Sequence, residues 1–128
     1  MKKISQKELE EIVEAHELWA ESGRQEGRKA DLSGTDLSGV NLSGAYLFNA
    51  NFTGANLSRV DLFEANLYWA DLSGANLTGA DLTGAIFSLA ILTGANLRVA
   101  TAKGCHIREV KFSSPKDRAR LRMLGAYG

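Results

Sequence analysis

The chain has 128 residues, of which 45% are hydrophobic and 23% charged, and fifteen basic side chains balance fifteen acidic ones at a net charge of zero. That length fits one domain, the neutrality gives no general basis for binding nucleic acid or a membrane surface, and no run approaches the roughly 18 consecutive apolar residues of a membrane span. A single cysteine, Cys105, excludes an internal disulfide; with an N-terminus that lacks an apolar core of signal-peptide type, it makes a cytoplasmic chain the default expectation.

Residues 1–29 begin with helix signals. Ser5 and Glu8 have capping-box spacing, and Leu9, Ile12, Val13, His16, Trp19 and Ala20 fall on one stripe of a helix that is expected to run to about Ser22, just before Gly23. This segment reads as an N-terminal helical cap and linker.

From Ala30 to Ser114 the sequence divides into seventeen consecutive five-residue words of the form A-D/N-L-S/T-G, beginning Ala30-Asp31-Leu32-Ser33-Gly34 and Thr35-Asp36-Leu37-Ser38-Gly39 and ending Val110-Lys111-Phe112-Ser113-Ser114. The third position is Leu, Phe or Ile in every word except the one holding Ala102. A period of five matches neither the 3.6 of a helix nor the 2.0 of an isolated strand, so the chain must turn a corner in every word. Positions one and three, both apolar, would share one face of a short extended piece, and the Ser-Gly or Thr-Gly end reads as a turn whose glycine supplies a positive φ. Several words lack that glycine, among them those ending in Arg59, Glu64, Trp69, Leu89, Val99 and Glu109, and those corners are expected to use a different turn.

After the repeats, Ser114-Pro115-Lys116-Asp117 combines an N-cap, a proline at the first helical position and an acid in the first turn. Residues 115–128 are therefore expected to form a short C-terminal helical cap, with Leu121, Met123 and Leu124 on the last coil and Gly125 as the stop.

The words resemble the pentapeptide-repeat family, whose pattern is A(D/N)LXX. The resemblance implies an all-β solenoid: a right-handed quadrilateral β-helix of about four coils spanning 30–114, with four words per coil, first and third residues inward and residues twenty apart stacked. At ~4.8 Å per layer such a rod is ~20 Å long. One coil cannot bury its own ring of leucines and gains stability by stacking on a neighbour, so both ends need caps.

No nucleophile, base and orienting group occur at a spacing that would assemble them, and the outside of such a rod is convex, so no enzyme activity, cofactor or small-molecule substrate is expected. His16 lies on the apolar helix stripe and reads as packed core. His106 occupies an outward second position and Cys105 an inward first position, which sets them on opposite faces and argues against a metal pair. Stacked by twenties, the second-position acids are mostly separated by asparagine, and only Asp61 and Asp81 become neighbours; these are polar ladders that limit like-charge repulsion, and no metal site is assigned.

The departures concentrate in the fourth word of each coil: Ala45-Tyr46-Leu47-Phe48-Asn49, Ala65-Asn66-Leu67-Tyr68-Trp69, Ala85-Ile86-Phe87-Ser88-Leu89 and Cys105-His106-Ile107-Arg108-Glu109. Tyr46, Phe48, Tyr68, Trp69, Ile86 and Leu89 are large apolar groups at outward positions there, and Phe63 and Ile91 flank them on neighbouring faces. Such a one-sided patch is either covered by a terminal segment of the same chain or is a contact surface for a protein partner or a second copy. The expected function is accordingly a non-catalytic interaction or scaffold module, with no nucleic-acid or membrane partner. The family also contains DNA mimics that protect gyrase, but the repeats here net only minus two, from seven acids and five bases, which disfavours that reading. A third expectation is head-to-tail steering between the six glutamates from Glu8 to Glu21 and the Arg118, Arg120 and Arg122 cluster, for which solvated helix surfaces are the plainer account.

Overall fold

Backbone pairing accounts for the five-residue word atom by atom. In the computed structural model, which describes residues 1–128, the word Ala75–Gly79 is representative. Ala75 N–H closes the preceding corner on Leu72 O (3.0 Å), and Asn76 N–H donates back one coil to Ala55 O (3.0 Å). Leu77 and Gly79 donate forward one coil to Asn96 O (2.9 Å) and Arg98 O (2.8 Å). The remaining amide, that of Thr78, has no backbone acceptor within reach and is taken by Asn76 Oδ1 at 3.0 Å. The same second-to-fourth contact recurs at Asp31, Asn51, Asp61, Asn66, Asp71 and Asp81. Aspartate or asparagine stands at position two because its short side chain carries an acceptor back to its own backbone two residues on.

Parallel bridges join residues twenty apart, as in Asp31–Asn51–Asp71–Ile91–Lys111 and Tyr46–Asn66–Ile86–His106, so four words complete each coil of a repeat β-helix. Third-position side chains from Leu32 to Leu92 are buried in one continuous cluster with the first-position alanines, which are small enough to sit at the corners. Each stacked leucine contributes roughly 1.5–3 kcal/mol on full burial.

The expectation of a different turn is corrected at all but one of the corners named for it. Asn49, Arg59, Glu64, Trp69, Leu89 and Glu109 all adopt the left-handed turn used by the glycines, with φ between 54° and 66°. The ladder fixes both ends of each corner whatever its side chain, so local preference is overridden. Only Val99 departs. A β-branched residue resists positive φ, and there the corner opens: Ala100, not Thr101, donates to Ala80 O, and Ala100 is exposed although it holds a nominally inward first position.

The N-terminal end is closed by three devices. β1 (Lys2–Lys3) pairs in parallel with β2 (Thr35–Asp36), and Ile4, buried, donates to Asp36 O, so Lys3-Ile4 acts as an extra second and third position on the second face. The Gln6 side-chain amide imitates a rung on the third face, donating to Asn41 O and accepting from Asn41 N–H (3.1 and 3.2 Å). α1 (Gln6–Glu21), capped by Ser5 accepting from Glu8 N–H, lays Leu9, Ile12 and Val13 on the core.

At the other end α2 (Pro115–Met123) is capped by Ser114 as its sequence indicates. Leu121 is fully buried, but Met123 is 89% exposed and Leu124 is also exposed, so only one of the three expected residues covers the last coil. At about 100° per residue, Met123 must face away from Leu121. Arg118 completes the cover instead. Its guanidinium lies 5.1 Å from the centre of the Phe112 ring and donates to the carbonyls of Ile107, Val110 and Gly128. It is thereby removed from the exposed basic cluster read from the sequence. The tail then adds a rung to the fourth face, where Tyr127 bridges His106, accepts from Ile107 N–H (2.8 Å) and donates to Cys105 O (2.7 Å).

Candidate functional site

The fourth face carries a connected group of rings. Phe48 is its centre, stacked on Tyr46 (6.3 Å between centroids) and on Tyr68 (5.9 Å), and tilted against Trp69 (6.0 Å). Tyr68 and Trp69 are themselves 6.2 Å apart. The geometry follows from the fold: Phe48 and Tyr68 are fourth positions one coil apart, and the stacking that aligns backbone rungs aligns their rings. Trp69 is 54% exposed and Tyr46 37% exposed, whereas Phe48 and Tyr68 are half-buried by their neighbours.

The other members of the patch lie at its margins. Ile86 continues the Tyr46–Asn66 column and is half-buried, as is Leu89 one coil beyond Trp69. Ile91 and Trp69 line one shallow depression with Lys29 and Asn49 at the corner between the fourth and first faces. Phe63, 44% exposed on the third face, joins no ring pair.

The corner that follows the fourth face differs from the other three. It has no glycine in any coil, and Asn49, Trp69, Leu89 and Glu109 form a column of side chains at positive φ. A bulky aromatic such as Trp69 in the left-handed region is a true outlier, and strain of this kind gathers at functional positions.

The two termini reach the borders of this surface. His16 of α1 is fully buried beneath it, with Nε2 donating to Phe48 O (2.8 Å) and Nδ1 accepting from Ala30 N–H (2.9 Å). Burial, helped by nearby Lys29, pushes its pKa below the usual 6.5, so it is held neutral. At the far border Tyr127 packs its ring edge-on to His106 at 5.6 Å. Cover by a terminal segment was one of the two alternatives read from the sequence, but His16 and Tyr127 were not named as its points of contact, although Ala126-Tyr127 repeats Ala45-Tyr46.

Elsewhere the polar groups have structural employment. Cys105 is inward and buried, which pushes its thiol up to about 12, and His106 points to solvent. No three His, Cys, Asp or Glu side chains converge as metal ligands, and no helix is long and apolar enough to cross a membrane.

The pentapeptide-repeat family model matches residues 28–62 and 61–98 in eight copies, more than half of the chain. The chain belongs to the pentapeptide-repeat family. Among solved structures it is similar to a pentapeptide repeat protein from the Arabidopsis thaliana thylakoid lumen, with 30% identity and a TM-score of 0.61 over 77% of this chain and 80% of that one. HetL from the cyanobacterium Nostoc sp. strain PCC 7120, a pentapeptide repeat protein involved in heterocyst differentiation regulation, is 37% identical with a TM-score of 0.52. That match takes in 62% of this chain but only 31% of HetL. The plasmid-mediated fluoroquinolone resistance protein QnrB1 shares the fold at 22% identity and a TM-score of 0.58, over 76% of this chain and 52% of QnrB1. No curated protein sequence matches this pentapeptide-repeat chain.

Proposed function

We propose that this pentapeptide-repeat protein is a non-catalytic interaction module that presents the fourth face of its β-helix to another protein or to its own copy. The scaffold of this reading is a right-handed quadrilateral of about four coils, capped by α1 and α2. The observation that carries it is the Tyr46–Phe48–Tyr68–Trp69 ring cluster, exposed at Trp69 and Tyr46 on a rod whose other faces are mostly polar, with Phe63 an isolated exception. Aromatic groups of this kind supply large rigid contact area at low entropic cost and anchor protein interfaces. The backbone strain accepted at Trp69 supports a role beyond packing.

Replacing Tyr68 and Trp69 together with serine tests the reading. The circular dichroism spectrum is expected to be unchanged, because neither side chain is in the core. Sedimentation mass or co-purification of a bound partner is expected to fall, and if both match those of the parent protein the face is not an interface.

Likeness to QnrB1 raises gyrase binding by DNA mimicry as a second reading, resting on fold alone. The chain's neutrality weighs against it, because a duplex mimic must carry dense negative charge. Inhibition of gyrase supercoiling at stoichiometric protein would reverse that judgement.

A further inference from the structure

Several sheet edges in this protein are covered by its own terminal segments. On the second face the N-terminal edge is covered by β1, and on the fourth face the C-terminal edge is covered by Tyr127. The first face ends on Lys111, where the Phe112 and Ser114 amides donate to no protein acceptor but Arg118 of α2 covers the edge, donating to Val110 O and lying over the Phe112 ring. The C-terminal edge of the second face, Ala95–Val99, has no such cover. One coil earlier the equivalent groups are all engaged: Leu77 and Gly79 donate to Asn96 O and Arg98 O, and Ala75 O accepts from Asn96 N–H. At the edge itself the Leu97 and Val99 amides donate to no protein acceptor and Ala95 O receives no donor. Leu97 is nonetheless only 4% exposed. The Ala102 amide, beyond the corner that Val99 opens, is likewise unpaired.

Beside this edge runs a groove of about 770 Å³ between the last coil and α2. Val99, Met123 and Leu124 give it apolar walls, and Arg98, Lys116 and Arg120 rim it with positive charge, with no acidic side chain in its lining. A strand that supplied a carbonyl to each free amide and an N–H to Ala95 O would repeat the pairing made between successive coils.

We propose that this edge and groove dock an extended acidic segment of a partner protein, added in parallel as the next rung of the second face. Main-chain hydrogen bonds to Leu97, Val99 and Ala95 give affinity, apolar side chains facing the groove give register, and carboxylates meet the three basic groups. The glutamate-rich α1 of a second copy has the right charge but, being helical, has no free main-chain groups with which to pair. The site is separate from the fourth face, so each surface is tested without the other.

The probe is a synthetic peptide of alternating valine and glutamate, blocked at both ends, titrated into the isotopically labelled full chain and compared with a valine and lysine counterpart. In the free protein the Leu97 and Val99 amides are expected to exchange with solvent much faster than those of Leu77 and Gly79, and to slow by about tenfold or more when the acidic peptide is bound. The basic peptide should not bind. Replacing Arg98 and Arg120 with glutamate should weaken the acidic peptide by about tenfold or more and leave the fourth-face resonances unmoved. Equal protection of the two coils in the free protein, equal binding of both peptides, or perturbation confined to other faces would overturn the proposal. Self-association abolished by the arginine replacements would also overturn it, because the occupant would then be a second copy.

Discussion

A left-handed backbone costs an L-residue roughly 1–2 kcal/mol, and six side-chain-bearing corners of this β-helix accept that cost. They do so because the fifth-position amide is drawn to the next coil and the fourth-position carbonyl to the preceding one. Glu109→Gly, at an exposed corner with φ 57°, is therefore expected to raise stability. Gly54→Ala, whose new methyl meets nothing within 4 Å, isolates the opposite change. Denaturant midpoints should report about 1 kcal/mol in each direction, and unchanged midpoints would show that these corners carry no strain. At this scale the sequence was legible in its rule more than in its exceptions. Asx capping explains why position two is Asp or Asn, yet nothing in the words ending at Arg59 or Trp69 signals that the ladder will force them into the glycine conformation. Val99 was the one exception with a visible cause, its β-branch.

At the scale of elements, α1 is tied to the first coil through a neutral imidazole that spans two backbone groups. A proton on His16 Nδ1 would face the Ala30 N–H, with Lys29 adding repulsion, so the folded state resists protonation and its pKa lies below 6.5. The sign follows from linkage: the unfolded chain takes up the proton first. The contribution is complete above about pH 6.5 and is lost as pH falls from there toward the lowered folded value. Denaturant midpoints followed by Trp19 fluorescence should drop between pH 7.5 and pH 5. His16→Gln should flatten that dependence and His106→Gln should not; a parent profile that is already flat would disprove the linkage. The helix itself was legible from its capping box and apolar stripe. Its hold on Phe48 O was not, because a sequence shows that a histidine is on the inner face but not which carbonyl meets it. α2 was legible from Ser114-Pro115, whereas its contact with the core passes mainly through Leu121 and Arg118, and a charged side chain is a poor sequence signal for a cap.

Over the whole molecule, the twenty-residue stacking implied by the family resemblance brought Tyr46, Phe48, Tyr68 and Trp69 together, and the structure makes them one ring cluster. Phe63 was grouped with them by position alone and stands apart, because it lies around a corner from the cluster. The open edge at Ala95–Val99 gave no sequence sign: it arises from where the helical cap and the tail happen to land, which depends on the geometry of α2.

Attachment of both termini to particular faces, β1 to the second and Tyr127 to the fourth, gives the protein a quantum of length. Duplicating residues 55–74 should add one layer of ~4.8 Å and keep every terminal contact, with unfolding still cooperative and the midpoint unchanged or higher. Duplicating only 55–59 turns everything downstream by a quarter of a coil relative to everything upstream. Tyr127 still meets its own rung, but Tyr68 and Trp69 leave the column of Tyr46 and Phe48, so the chain should remain folded and lose the ring cluster. Retention of the cluster's ring contacts by nuclear Overhauser effects in that variant would contradict the coil count. A lineage of such proteins can therefore change size without changing surface only in steps of twenty residues, while steps of five rewrite the surface and leave the fold standing.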